Sequence, residues 1–185
     1  MSTSNGLLKR LLKYWLKIKI EEHNFTMITV DLLKNNPTAI HNLVQIWLAT
    51  LGNPWMPDIP AATIEVWMSE WLNDDIPPLA FIALDGDKSV GMCSLQMNDG
   101  IRPDLFPWLG DVCVDPEYQN RGIGKLLVNA AINKTREMGF KNLYLFIFED
   151  ALVKYYQKFG WQIIGNDEYE GHSVIVMALS LQYNR

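Results

Sequence analysis

The sequence holds only two cysteines, Cys93 and Cys113, too few for a disulfide framework. His23, His41 and His172 are scattered and share no ligand spacing with them, so no metal is expected. No Ser-His-Asp or Cys-His order is suggested either. No apolar run is long enough to span a bilayer. The start lacks the apolar stretch and small-residue cleavage site of a secretory signal, so a cytoplasmic location is expected. No internal repeat and no low-complexity segment is present, and no Gly-Lys-Ser or Gly-Lys-Thr completes a Walker loop.

What is present is an acidic body with a basic start. The net charge of the 185 residues is -5. Lys9, Arg10, Lys13, Lys17 and Lys19 face no acid within the first twenty residues, so the rest of the chain carries -10. Phosphate contacts need clustered Lys and Arg, which argues against a nucleic-acid partner. An acidic body attracts cations instead, in a salt-dependent way. The length suits one α/β domain with short additions, and an apolar content of 49% suffices for a sizeable core.

Leu8, Leu11, Leu12, Trp15 and Leu16 form an apolar stripe at helical spacing. Segment 7–20 reads as an interfacial helix making a weak membrane or partner contact, or as an extension packed on its own domain. Met27, where the domain pattern begins, is an alternative translation start. A strand is expected over 27–33, then helices over 41–51 and 61–72. The proline-rich stretch 52–60 between them is expected to be extended. Strands are expected over 79–84 and 90–97, forming a hairpin with a loop somewhat longer than two residues. A further strand spans 108–114 and a helix 122–138, stopped by Gly139. The apolar run 143–148 reads as a buried strand. A short helix over 151–159 and strands over 161–164 and 173–179 complete a β-α-α-β-β-β-α-β-α-β-β order, a mixed three-layer α/β domain.

The segment VDPEYQNRGIGKLL, residues 114–127, carries the functional reading. Pro116 ends a strand, and Gly122 and Gly124 open a helix. Glycine admits close backbone approach of a ligand, and first-turn N–H groups lack helical partners, so this end suits a phosphate. Arg121 and Lys125 would add charge beside it. A dinucleotide reading is weak, because only G-x-G appears, after three antiparallel strands.

Gln119-Asn120-Arg121-Gly122-Ile123-Gly124 resembles the pyrophosphate loop of the Gcn5-related N-acetyltransferase (GNAT) superfamily. The family's second signature is matched by Tyr155-Tyr156-Gln157-Lys158-Phe159-Gly160-Trp161. The resemblance covers roughly residues 27–181 and implies a basic extension, 1–26, followed by a GNAT domain, 27–185. It implies a central mixed, mostly antiparallel sheet and acetyl-coenzyme A as acyl donor. Cofactor contacts would come from Cys113 and Val114 through the backbone, and from Gln119, Asn120, Arg121, Gly122, Ile123, Gly124 and Lys125.

The resemblance makes Tyr156 the acid that protonates the departing thiolate; an unperturbed phenol pKa near 10 suits that task. It also implies a bulge over Leu109–Cys113, with Gly110 able to accommodate it. Several relatives carry a Glu on this strand where Trp108 or Gly110 stands here. Asp111 is the nearest carboxylate and resembles an acidic position of polyamine-acetylating relatives. Glu149, Asp150, Asp99 and Asp104 are further candidates to hold or deprotonate the amine. The pantetheine-binding Asn of many relatives is replaced by the stretch Phe148-Glu149-Asp150. Cys113 reads as an apolar filler.

Acceptor binding is expected from Trp55, Glu149, Asp150 and Tyr169, with Trp67 and Trp71 as a core pair. The acceptor expected is the primary amine of a small cationic molecule. A protein N-terminus or lysine, and a non-catalytic acyl-coenzyme-A-binding module, stay open as alternatives. A homodimer is a further expectation.

Overall fold

The computed structural model describes residues 27–182, and the expected amphipathic segment 7–20 lies outside them. Seven strands form one sheet: β1 (Thr29–Leu32), β2 (Leu79–Asp85), β3 (Lys88–Gln96), β4 (Trp108–Val114), β5 (Asn142–Ile147), β6 (Gln162–Tyr169) and β7 (His172–Ser180). Their order is β1-β2-β3-β4-β5-β7-β6. Every neighbouring pair is antiparallel except β4 and β5.

Helices α1 (Ile40–Trp47) and α2 (Ala61–Glu70) cover one face, burying Leu43, Trp47, Ile64 and Met68 against Ile82, Met92 and Cys113. Helix α3 (Ile123–Glu137) covers the other, burying Ile123, Leu127 and Ala131 against Cys93, Leu95 and Leu109. Full burial of each large aliphatic side chain contributes about 1.5–3 kcal/mol, and this two-sided burial holds the three layers together. Helix α4 (Asp150–Gln157) follows β5 and packs on it, with Tyr156 buried against Trp161.

Three local expectations are corrected. The β2–β3 loop is only Gly86-Asp87, because Asp85 pairs with Lys88. Gly86 takes φ 60 there, which a two-residue hairpin turn requires at its first position. The stretch after α1 is not extended through Pro54. Leu48–Gly52 forms a π-turn in which the Asn53 N–H reaches back to the Leu48 carbonyl, and Asn53–Trp55 stays helical. That longer turn shifts the hydrogen-bond register just before Pro54, where an amide is missing anyway. Strand β6 runs to Tyr169 rather than ending at Ile164, because a register shift between Ile163 and Gly165 lets pairing with β7 continue. As an exposed edge strand it has little of the apolar alternation that marks a half-buried strand.

Candidate active site

The single parallel pair shapes the site. Strands β4 and β5 meet at one register position, Trp108 with Tyr144, where the Tyr144 N–H donates to the Pro107 carbonyl at 3.0 Å. No further pairing joins them, and the wedge between them opens into a cavity of about 540 Å³. Residues 109–114 of β4 and Leu145–Ile147 of β5 line it, so backbone groups of both strands face a ligand instead of each other.

Strand β4 is distorted at the middle of this wall. Met92 of β3 pairs with Cys113 and Ser94 with Gly110, leaving Asp111 and Val112 opposite Cys93 alone. The bulge expected over Leu109–Cys113 is therefore present, but Asp111 takes the left-handed conformation (φ 53), not Gly110. Asp is among the few residues that visit this region without severe strain. The bulge flips the side-chain alternation: Leu109 packs toward α3, whereas Cys113 packs toward α1. Asp111 lies on the α1 side too, where its carboxylate accepts from Trp47 Nε1 at 2.8 Å, Ser94 Oγ at 2.6 Å and Gln96 Nε2 at 3.0 Å. Burial raises its pKa, and the three donors pull the other way.

Ser94 and Gln96 are site residues that the sequence analysis missed. The signal was the alternation Ser94-x-Gln96 inside an apolar strand: a fully buried serine needs a partner. Trp47→Phe should leave Asp111 short of one donor and open a small void. A loss of about 1–3 kcal/mol in denaturant unfolding is expected; a midpoint unchanged from wild type would remove Trp47 from this role.

Tyr156 is buried, its ring edge-on to Trp161 with centroids 5.9 Å apart, and it lines the cavity. Burial pushes its hydroxyl well above the usual phenol value, so it stays protonated near neutral pH. Tyr155 does not line the cavity; its hydroxyl lies near Gly124. Cys113 is buried, and burial with the Asp111 charge pushes its thiol up to about 12, which leaves it no nucleophile.

The start of α3 is open. Gly122 caps it at φ 80 with no side-chain hydrogen bond, and no atom lies within 4 Å of where its Cβ would stand. The first helical bond runs from the Leu126 N–H to the Gly122 carbonyl, so the preceding N–H groups of Ile123, Gly124 and Lys125 are free of helical partners. Asn120 also has positive φ (61) in this loop. Gln119 lines the cavity and donates to the Val114 carbonyl at 3.2 Å. Arg121 donates to the Glu117 carbonyl at 2.8 Å and stacks on Tyr118, and the Lys125 ammonium lies 5.5 Å from the Phe159 ring centre.

At the other end, Trp55 stacks on Phe148 (4.6 Å, 10°), and His172 Nε2 lies 3.1 Å from the Trp55 carbonyl. This bridge ties the segment after α1 to the ends of β5 and β7. Trp67 and Trp71 both line the cavity, with Trp71 buried in the core as well. Tyr169 lines it beside Gly100, and burial, followed by Asp99 and Asp111, pushes its hydroxyl up to about 12. Of the expected acids, Asp99, Asp111 and Glu149 line the cavity. Asp150 instead borders a neighbouring depression with Lys154 and Asn166, at the first turn of α4. Asp104 is paired with Arg102 at 3.1 Å and exposed. Glu70, not anticipated, joins the lining. Among the described residues no group of His, Cys, Asp and Glu could hold a metal ion, and no helix is long and apolar enough to cross a membrane.

The acetyltransferase (GNAT) family model matches residues 40–161. The chain belongs to this family. Membership of this family is what the Gln119–Gly124 and Tyr155–Trp161 segments led one to expect. The spermine/spermidine N(1)-acetyltransferase of Bacillus subtilis (strain 168) is 36% identical over 75 residues, 39% of this chain and 49% of that protein. The chloroplastic GCN5-related N-acetyltransferase 2 of Arabidopsis thaliana is 30% identical over 83 residues, 42% of this chain and 30% of that protein. The matched region thus spans about half the length of the Bacillus relative, and less of the plant one. Among solved structures, an aminoglycoside 6'-N-acetyltransferase complexed with coenzyme A superposes with a TM-score of 0.66 at 19% identity, covering 85% of this chain and 99% of that one. At that identity the likeness is one of fold.

Proposed function

We propose that this protein transfers the acetyl group of acetyl-coenzyme A to a primary amine of a small cationic molecule, of the linear polyamine type. The observation that carries this reading is the charge of the cleft. Glu70, Asp99, Asp111 and Glu149 line it beside Trp55, Trp67 and Trp71, and among the described residues no lysine, arginine or histidine does. Carboxylates and indole faces in a shared cavity favour ammonium groups through Coulomb and cation–π attraction. The name of the Bacillus relative points the same way. A Tyr156 that lines the cavity supports catalysis over mere acyl-carrier binding.

The residues present fit the donor. The open, left-handed Gly122 leaves room for a pyrophosphate against the amides of Ile123, Gly124 and Lys125, with Arg121 and Asn120 beside it. The unpaired edge of β4 at Cys113 and Val114 offers backbone groups to the pantetheine arm. When bound, acetyl-coenzyme A supplies a thioester carbonyl open to attack. The bulge at Asp111 and Val112 turns backbone N–H groups out of the ladder, where one can stabilise negative charge on the carbonyl oxygen. Asp111 holds the acceptor ammonium, Glu149, Tyr169 and Trp55 frame its chain, and Tyr156 gives its proton to the leaving sulfur.

The test is kcat/KM across a linear polyamine, a neutral monoamine of equal length and a peptide with a free N-terminus, at two salt concentrations. The polyamine should be preferred by at least about tenfold, the preference shrinking with salt as charge attraction is screened. Equal use of the neutral amine, or preference for the peptide, would overturn the acceptor assignment.

A further inference from the structure

The cleft holds an acid to which the reading above gives no chemical task. Asp99 lies in the connection between β3 and β4, and its carboxylate rests over Gly110: a Cβ there would stand 3.1 Å from Oδ2 and 3.4 Å from Oδ1. The missing side chain at 110 is what lets Asp99 come so close to the strand. Asp99 keeps part of its surface open, toward the cavity, while protein surrounds the remainder. Its carboxylate accepts no hydrogen bond from any described residue, whereas neighbouring Asp111 accepts three. A Cβ at 110 would also stand 3.1 Å from Ser94 Oγ, the hydroxyl that donates to Asp111, so the two carboxylates are close neighbours. The titratable groups facing Asp99 are Asp111 from β4 and Tyr169 from β6. Burial first, and then the Asp111 charge, push Asp99 well above the usual carboxylate range.

We propose that Asp99 is the proton acceptor of the transfer reaction, while Asp111, fixed by Trp47, Ser94 and Gln96, is the standing anion that keeps the ammonium in place. This inference rests on the acetyl-transfer reading above. The two acids differ in the way the task requires. Asp111 is pinned by three donors that favour its charged form against the burial that opposes it, and Asp99 is unpinned and open to the ligand. An N–H bond of the acceptor ammonium breaks, its proton goes to Asp99, and nitrogen keeps the electron pair. The N–C bond forms as the C–S bond breaks, and sulfur takes the Tyr156 proton. A second nitrogen proton returns to Tyr156 through water, and Asp99 releases its own to solvent. Ammonium and thioester thus become amide, thiol and one free proton.

The experiment compares wild type with Asp99→Asn and Asp99→Ser on two acceptors. One is an aliphatic diamine, protonated at neutral pH, and the other an alkoxyamine, already neutral there. With the diamine, both variants should lose about 10²–10⁴-fold in kcat/KM and lose the acid limb of its pH profile. With the alkoxyamine, which needs no base, the loss should be under about tenfold. Stability gives an independent readout. A carboxyl whose folded pKa is raised favours the fold below its unfolded value near 3.8 and loses that contribution as pH rises through the folded value. Asp99→Asn should therefore melt higher than wild type at pH 7–8 and not at pH 4. Equal losses on both acceptors, or an unchanged acid limb, overturn the role of Asp99 and leave acetyl transfer standing. A wild-type protein that acetylates neither amine overturns both.

Discussion

Replacing Gly122 with Val should abolish coenzyme A binding, lowering affinity in a calorimetric titration by at least about 100-fold, the equivalent of two charge-assisted hydrogen bonds. Two causes act together. At φ 80 a β-branched side chain is strained by about 1–3 kcal/mol, so the loop that aims the amides of Ile123 and Gly124 shifts. The side chain also enters the space that stands empty before the helix, where nothing lies within 4 Å of the Cβ position. Thermal melting should show a folded protein losing a few degrees, because the α3 core contacts of Leu127, Ala131 and Ile132 lie beyond the altered turn. Unaltered affinity for coenzyme A would mean that the donor is held elsewhere.

Tyr156→Phe should have the second large effect, on turnover rather than binding. The ring keeps its place against Trp161, so coenzyme A affinity should change less than about threefold, while kcat falls about 10²–10⁴-fold with the loss of the proton donor. Burial holds the hydroxyl protonated through pH 6–9, so Tyr156 itself contributes no basic limb to the wild-type profile in that range. Equal turnover in both proteins over that range would end the assignment. Retained turnover in Tyr155→Phe is the companion result, because Tyr155 lies outside the cavity.

Most of this architecture was legible in the sequence because periodicity and turn chemistry agreed. The run Leu143–Phe148 read as a buried strand, and β5 is central in the sheet, between β4 and β7. The glycine-opened helix read correctly because Gly122 must take a conformation that other residues resist. Errors arose where tertiary context or hydrogen-bond register overrode a local rule. Pro54 broke the expected helix on paper, but a π-turn absorbs it. Asp150 sits one residue from Glu149, yet Glu149 lines the cleft and Asp150 borders a neighbouring depression at the start of α4.

The acid cluster was only half legible, and for a topological reason. Asp111 and Asp99 lie twelve positions apart, and nothing local says that a bulge at 111 and a bare glycine at 110 bring them together. Nor does any spacing link Trp47, on the first helix, to Asp111 on the fourth strand, 64 residues away. Such long-range contacts are fixed by the order β3-β4-β5, which periodicity does not reveal. The two carboxylates also burden the fold, since both are pushed toward their neutral forms. Sites that trade stability for chemistry commonly break local expectations in this way.

The fate of a labelled acetyl group decides the matter. Acetyl-coenzyme A carrying label in its acetyl carbons is incubated with the purified protein and a linear polyamine, and label is counted in the amine, in free acetate and on the protein. Label recovered as N-acetyl-polyamine, equal in amount to the thiol released and absent without the amine, is the result expected of direct transfer in this cleft. Label left on coenzyme A, or released as acetate whether or not the amine is present, would contradict it.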